Sequence, residues 1–234
     1  KAVPLELRLP ALFPDKASKT MKLIHVGLGL MGEHWVKVVA DFPDVEIVAF
    51  VDVDTETTRA KADEFGHTDV SVFATLAEAI DTVTADAILD VSPPFTRVAH
   101  ITLAVQNNLP MMIEKPLAPT MQEAYIIRDL IKDSDLPYMV AQNYRYHPWM
   151  MTIKRLIDDG KIGKIISAHV AHYRHLDLRG YFHQTLPYPL LQDMSIHHYD
   201  LMRYVLGCNP DTLIAHSWNA PQSTFNGDAS VNAL

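Results

Sequence analysis

Three glycines fall within six residues, Gly27-Leu28-Gly29-Leu30-Met31-Gly32. Met21–Val26 before them reads as a buried strand, and Glu33–Ala40 after them reads as a helix. Strand, G-x-G-x-x-G and helix in that order describe a turn that can hold a dinucleotide. The first glycine permits the tight turn, the second lets a pyrophosphate approach the backbone, and the third lets helix and strand pack closely. The amides that open the helix then face the phosphates. Asp52 closes the next strand, twenty residues after Gly32. A carboxylate there accepts hydrogen bonds from ribose hydroxyls and repels a 2′-phosphate. Val53 follows it rather than an arginine, so the expected cofactor is NAD, with NADP disfavoured. A second pair able to do chemistry is Asp193 and His197. Four residues apart on a helix, they share a face, and a carboxylate there can orient an imidazole and stabilise its charged form. Asp200 lies on the same face, and His198 points away from it.

The elements that would position these residues alternate from residue 21 onward. Val45–Asp52, Val70–Phe73, Ala85–Val91, Pro110–Glu114 and Leu136–Gln142 read as strands. Helices are expected between them, one capped by Asp54 and two opened by capping boxes at Thr75–Glu78 and Thr120–Glu123. Such alternation implies right-handed βαβ crossovers and a mostly parallel sheet. After Asn143 the pattern changes. Helices are expected at Trp149–Asp158 and Leu190–Leu206, and strands at Lys164–His175, Thr212–Asn219 and Ala229–Leu234. The expected fold is α/β: a Rossmann-type domain over 21–142, then an α+β domain with a largely antiparallel sheet over 143–234. Residues 1–20 read as an arm or added segment, and the second domain reads as incomplete because the chain stops inside a strand.

Composition is that of an ordinary globular chain, 48% hydrophobic and 21% charged over 234 residues. A net charge of −8 argues against nucleic acid as a partner. No apolar run reaches membrane-spanning length. Cys208 is the single cysteine, which fits a reducing, cytoplasmic setting. His169, His172, His175 and His183 invite a metal reading, but no H-x-H or H-E-x-x-H pattern occurs, so no metal is expected.

Four further stretches carry a family resemblance. Glu114-Lys115-Pro116 resembles the E-K-P signature of the glucose-fructose oxidoreductase / inositol dehydrogenase / MocA (Gfo/Idh/MocA) family. Ser92-Pro93-Pro94 resembles the T-P segment that lies beneath the nicotinamide in that family. Asn143-Tyr144-Arg145 resembles its N-x-R turn, and Asp193–Asp200 resembles its D-x-G-x-H-x-x-D helix. Ser195 stands in place of that helix's glycine, and Arg97 stands where many members carry histidine.

The resemblance implies hydride transfer between NAD and a sugar, cyclitol or related polyol. Lys115, Asp193 and His197 would be catalytic: His197 as general base, Lys115 with a lowered pKa beside the nicotinamide, and Asp193 assisting. Pro116 would follow a cis peptide bond. Gly27, Leu28, Gly29, Leu30, Met31, Gly32, Asp52, Ser92, Pro93, Glu114 and Lys115 would contact the cofactor, and Arg145, Tyr173, His175 and His198 the substrate. The family also contains NAD-retaining glycosidases and resembles a non-catalytic dinucleotide sensor, and it implies assembly as a homodimer or homotetramer.

Overall fold

The computed structural model describes residues 20–173 and 186–234. The expected arm (residues 1–20) therefore lies outside the described residues apart from Thr20. Two compact units emerge among the described residues, one of residues 20–112 and 125–138 and one of 113–124, 139–173 and 186–234.

The first unit is built on β1 (Met21–Val26), β2 (Val45–Val51), β3 (Ser71–Phe73) and β4 (Ala87–Asp90). With β5 (Met111–Ile113) and β6 (Tyr138–Val140) they form a six-stranded sheet in the order β3-β2-β1-β4-β5-β6. The β1–β2, β1–β4 and β2–β3 pairs are parallel. This is the doubly wound order, whose direction of winding reverses between β1 and β4. Ligands of such sheets bind outside the carboxyl ends of the strands at that reversal.

Helices α1 (Leu30–Ala40), α2 (Thr55–Glu64), α3 (Leu76–Thr82) and α4 (Arg97–Gln106) join these strands. Their starts follow local chemistry. Asp54 accepts the Thr57 N–H at 3.0 Å. Thr75 and Glu78 form a complete capping box. Leu23, Val36, Ile47, Phe50, Ala62 and Leu89 make one buried cluster on which Trp35, Phe65 and Val72 pack. Each of the buried Leu, Val, Ile and Phe side chains contributes about 1.5–3 kcal/mol by leaving water, which is what holds β1 and α1 together around the glycine turn.

The second unit holds α5's first turn (the helix spans Met121–Ile131), α6 (Pro148–Asp158) and α7 (Ile196–Leu206), with β7 (Ala215–Trp218) antiparallel to β8 (Ser230–Ala233). At the second expected capping box, Thr120 accepts the Glu123 N–H at 3.2 Å, while its hydroxyl donates to the Glu123 carboxylate at 2.7 Å. One long helix over Leu190–Leu206 is expected; the chain is helical across that range, with a π-helical turn over Leu191–Ser195 leading into α7. Gly207 ends α7 in the left-handed conformation.

The expected strand over Lys164–His175 is not observed. Residues 164–173 carry no strand, and 174–175 lie outside the described residues. An extended segment becomes a strand only when a neighbour takes its backbone groups. Here β7 and β8 pair with each other instead. Among the described residues no helix is long and apolar enough to cross a membrane.

Close packing at the glycine turn is the testable feature of this fold. A Cβ on Gly32 would sit 2.1 Å from the Gly27 carbonyl oxygen. Gly32→Ala is therefore expected to lower the urea midpoint, at a cost of roughly 1–3 kcal/mol. An unchanged midpoint would show that the α1–β1 contact is looser than described.

Candidate functional site

The first unit carries a cradle at the reversal point of its sheet. Gly27 leaves β1 with φ +89°, and its amide donates to Val51 O at 2.7 Å. A Cβ there would lie 2.8 Å from the Ser92 nitrogen and 2.9 Å from the Val91 carbonyl carbon, so no side chain fits. Gly29 caps α1 without offering a side-chain bond, and the space its Cβ would fill is open. The first helical hydrogen bond is Glu33 N–H to Gly29 O at 2.9 Å. The amides of Leu30, Met31 and Gly32 therefore have no intrahelical acceptor. They form an anion cradle at the positive end of the helix. The Leu30 and Met31 side chains are exposed, and Leu28 is buried in the core.

Asp52 shapes this loop as well as facing it. One carboxylate oxygen accepts the Leu28 N–H at 2.9 Å, and the other accepts the Asp54 N–H at 3.2 Å. Each oxygen keeps further acceptor capacity for a ribose hydroxyl. The Leu28 carbonyl is held from the other side by Lys61 Nζ at 2.9 Å, and Lys61 pairs with Glu33 at 2.8 Å. Sequence reasoning missed Lys61. Thirty-three residues from its acceptor and on the polar α2, it carries no local signal. The open position at Gly29, the three amides and the Asp52 carboxylate together fit a dinucleotide diphosphate and ribose.

Ser92 and Pro93 follow β4, across from Gly27. Ser92 N–H donates to Asp90 at 2.9 Å, and the Pro93 ring is exposed. Asp90, Arg97 and His100 are a buried group that sequence reasoning did not identify. Seven and ten residues apart across a strand, a turn and a helix, they show no periodic pattern.

The second unit assembles the expected catalytic residues. Glu114, buried to 9% exposure, accepts the Lys115 N–H at 2.9 Å. The Lys115–Pro116 bond is cis. Lys115 Nζ donates to the Asp193 carboxylate and, at 3.1 Å, to the Asp193 main-chain oxygen. The sequence reading has Asp193 orienting His197, yet the carboxylate is given to Lys115. The π turn explains this, because its bonds close over five residues and disrupt the α-helical spacing. The His197 ring is oriented instead by stacking on Tyr144, with centroids 4.4 Å apart and planes 10° apart. Its Nδ1 is buried without a hydrogen-bond partner among the described residues. Burial, and then the charge of Lys115, lower the His197 pKa to about 4.

The expected substrate residues fall in different settings. Arg145 donates from Nε to Asp200 at 2.9 Å, bonds the second carboxylate oxygen through a terminal nitrogen, and lies over the Tyr204 ring. His198, expected to point away, packs against the edge of Tyr144 at 6.2 Å and against His172 at 4.7 Å. Burial, and then His172, lower its pKa. Tyr173 is exposed. His175 and His183 lie outside the described residues. Among the described residues, no three histidine, cysteine or acidic side chains are grouped as a metal site.

Residues 21–142 match the family model described as oxidoreductase family, NAD-binding Rossmann fold. Residues 150–234 match the GFO/IDH/MocA C-terminal domain. The chain is 27% identical over 223 residues to the uncharacterized protein y4oX of Sinorhizobium fredii, covering 92% of this chain and 62% of that protein. It is 29% identical over 192 residues to inositol 2-dehydrogenase 1 of Saccharopolyspora erythraea, covering 80% and 55%. The crystal structure of Lactobacillus casei myo-inositol dehydrogenase in complex with NAD(H) and myo-inositol superposes with a TM-score of 0.76 at 21% identity, covering 92% and 63%. The chain thus spans less than two thirds of the length of each of these relatives.

The open space at Gly29 separates stability from binding. Gly29→Ala is expected to leave the urea midpoint within about 0.5 kcal/mol, while weakening NAD about tenfold or more by calorimetry. Equal NAD affinity in both proteins would show that the diphosphate does not rest there.

Proposed function

We propose that this chain, which belongs to the Gfo/Idh/MocA family of oxidoreductases, takes part in oxidising an alcohol carbon of a sugar, cyclitol or related polyol. NAD, when bound, supplies the acceptor for the hydride. The amides of Leu30, Met31 and Gly32 would hold its diphosphate and Asp52 its adenosine ribose. The observation that carries the reading is the trio of Lys115, Asp193 and His197 in the second unit. Asp193 fixes the Lys115 ammonium in place, and the buried His197 ring beside that charge is unprotonated at neutral pH.

Oxidation of a carbinol gives up a hydride from carbon and a proton from oxygen. His197 is assigned the proton, as a neutral ring in a dry setting. Lys115 is assigned the substrate oxygen, where its charge stabilises the alkoxide that develops as the proton leaves. Glu114 holds the backbone that carries Lys115. His198 and Tyr173 are assigned to substrate contact. The Arg145 guanidinium is already committed to Asp200, so its role becomes positioning of α7 and hence of His197. Uncharged polyols suit this set, and the names of the relatives are consistent with that choice. Assembly as a homodimer or homotetramer belongs to the same proposal and rests on the family resemblance.

Mixing the protein with NAD and a panel of cyclitols and sugars tests the reading, with reduced-nicotinamide absorbance as the signal. Lys115→Met is expected to cut turnover about 10²–10³-fold while leaving NAD affinity within a few fold. Undiminished turnover in that variant removes Lys115 from the chemistry. Glycoside cleavage without net NAD reduction favours the NAD-retaining glycosidase. Tight NAD binding with neither activity favours the sensor.

The pH profile gives a separate check. A general base works only when unprotonated, so kcat/KM falls as pH drops through its pKa in the free enzyme. For His197 that acid limb is expected near pH 4 rather than near the ordinary 6.5. A limb centred near 6.5 that persists in His197→Asn would assign the base to another group.

A further inference from the structure

The geometry points to Asp90, Arg97 and His100 as positioning residues that fix the turn after β4, and through it the surface offered to the nicotinamide half of the dinucleotide. This inference rests on the dinucleotide reading above.

Asp90 is 0% exposed and Arg97 1%. A carboxylate and a guanidinium out of water are costly unless paired in good geometry. Here the pairing is dense. Asp90 Oδ1 receives Arg97 Nη1 at 2.6 Å and the Ser92 N–H at 2.9 Å, and also accepts the Ser92 hydroxyl. Asp90 Oδ2 receives His100 Nδ1 at 2.9 Å. Burial pushes the Asp90 carboxyl up, but the His100 bond, the Arg97 charge and the Ser92 bond outweigh it and hold the pKa at about 2.

This arrangement is not a hydrolytic triad. Asp90 and Ser92 both approach the same ring nitrogen of His100, at 2.9 and 3.4 Å. A base relay needs one ring nitrogen for the acid and the other for the nucleophile. The Ser92 hydroxyl is also directed inward, donating to Asp90 while its oxygen meets Thr96 Oγ1 at 2.7 Å and Arg97 Nη1 at 3.3 Å. Ser92 therefore staples the turn through its side chain. What the stapled turn presents outward is Pro93.

The position of the staple gives it a function. Asp90 pairs in register with Val26, the residue before Gly27, and Val91 N–H donates to Val26 O at 2.7 Å. The turn is thus pressed against Gly27, on the far side of β1 from Asp52. A dinucleotide laid across the reversal point has its adenosine half over β2 and its other half over β4. Movement of the 92–94 turn would then be felt at one end of the ligand only.

Titration calorimetry on the intact protein with NAD and, separately, with ADP tests this, because ADP lacks the nicotinamide half. His100→Leu removes one bond to Asp90 at the least buried member of the group. It is expected to weaken NAD about tenfold and leave ADP unchanged. His100→Gln keeps a side-chain donor, and NAD affinity should recover toward the parent value. Arg97→Met is expected to act in the same direction where it folds. Equal loss of NAD and ADP affinity would mean a merely structural role and overturn the proposal. So would parent-like NAD affinity in a folded His100→Leu protein. A parent protein that binds neither ligand removes the dinucleotide reading itself, and this inference with it.

Discussion

The close approach of two strand ends, at Gly27 and Ser92, is the constraint on which the rest of this chain depends. A single Cβ at position 27 would strike the backbone of the β4 turn. Because there is none, β1 and β4 stay in register to their last residues and α1 starts directly over the gap. The anion cradle, the Asp52 hydrogen bonds and the Asp90 staple are all arranged around that contact. Asp52 and Asp90 satisfy the Leu28 and Ser92 amides that the tight turns leave without a backbone partner, while the cradle keeps its amides for a ligand.

Charge in this chain is local rather than diffuse. The net charge of −8 is not spread evenly over the sites, where several acids each meet a specific base. Asp193 answers Lys115, Asp200 answers Arg145, Glu33 answers Lys61 and Asp90 answers Arg97. For the buried Asp90–Arg97 pair, removing either member leaves the other in a poorly solvated setting, so it couples fold and site more tightly than surface pairs do. His197 takes the opposite course, remaining neutral at neutral pH where no hydrogen bond holds its Nδ1 among the described residues.

Much of the fold was legible because its signals are local. Glycine spacing, the Asp54 and Thr75 caps and the apolar strands each depend on residues a few positions apart, and each appears where the pattern places it. The candidate site was legible in residue type but not in pairing. Asp193 lies on the reading's catalytic helix, yet a π turn redirects it to Lys115, seventy-eight residues away. Tyr144 behind His197 and Lys61 over Leu28 are long-range contacts with no periodic trace. The strand expected at 164–175 shows the same limit from the other side. Alternating side chains describe a segment that could pair, but pairing is a property of the neighbour.

Leu28 is tied on both sides, at its N–H by Asp52 and at its C=O by Lys61, with a consequence for how the loop meets a ligand. The two successive peptide groups that meet at Leu28 are each anchored against flipping, so part of the conformational entropy of the turn is already lost when the protein folds. Binding then proceeds against a rigid surface, without the ordering cost that a floppy phosphate loop would impose on every encounter.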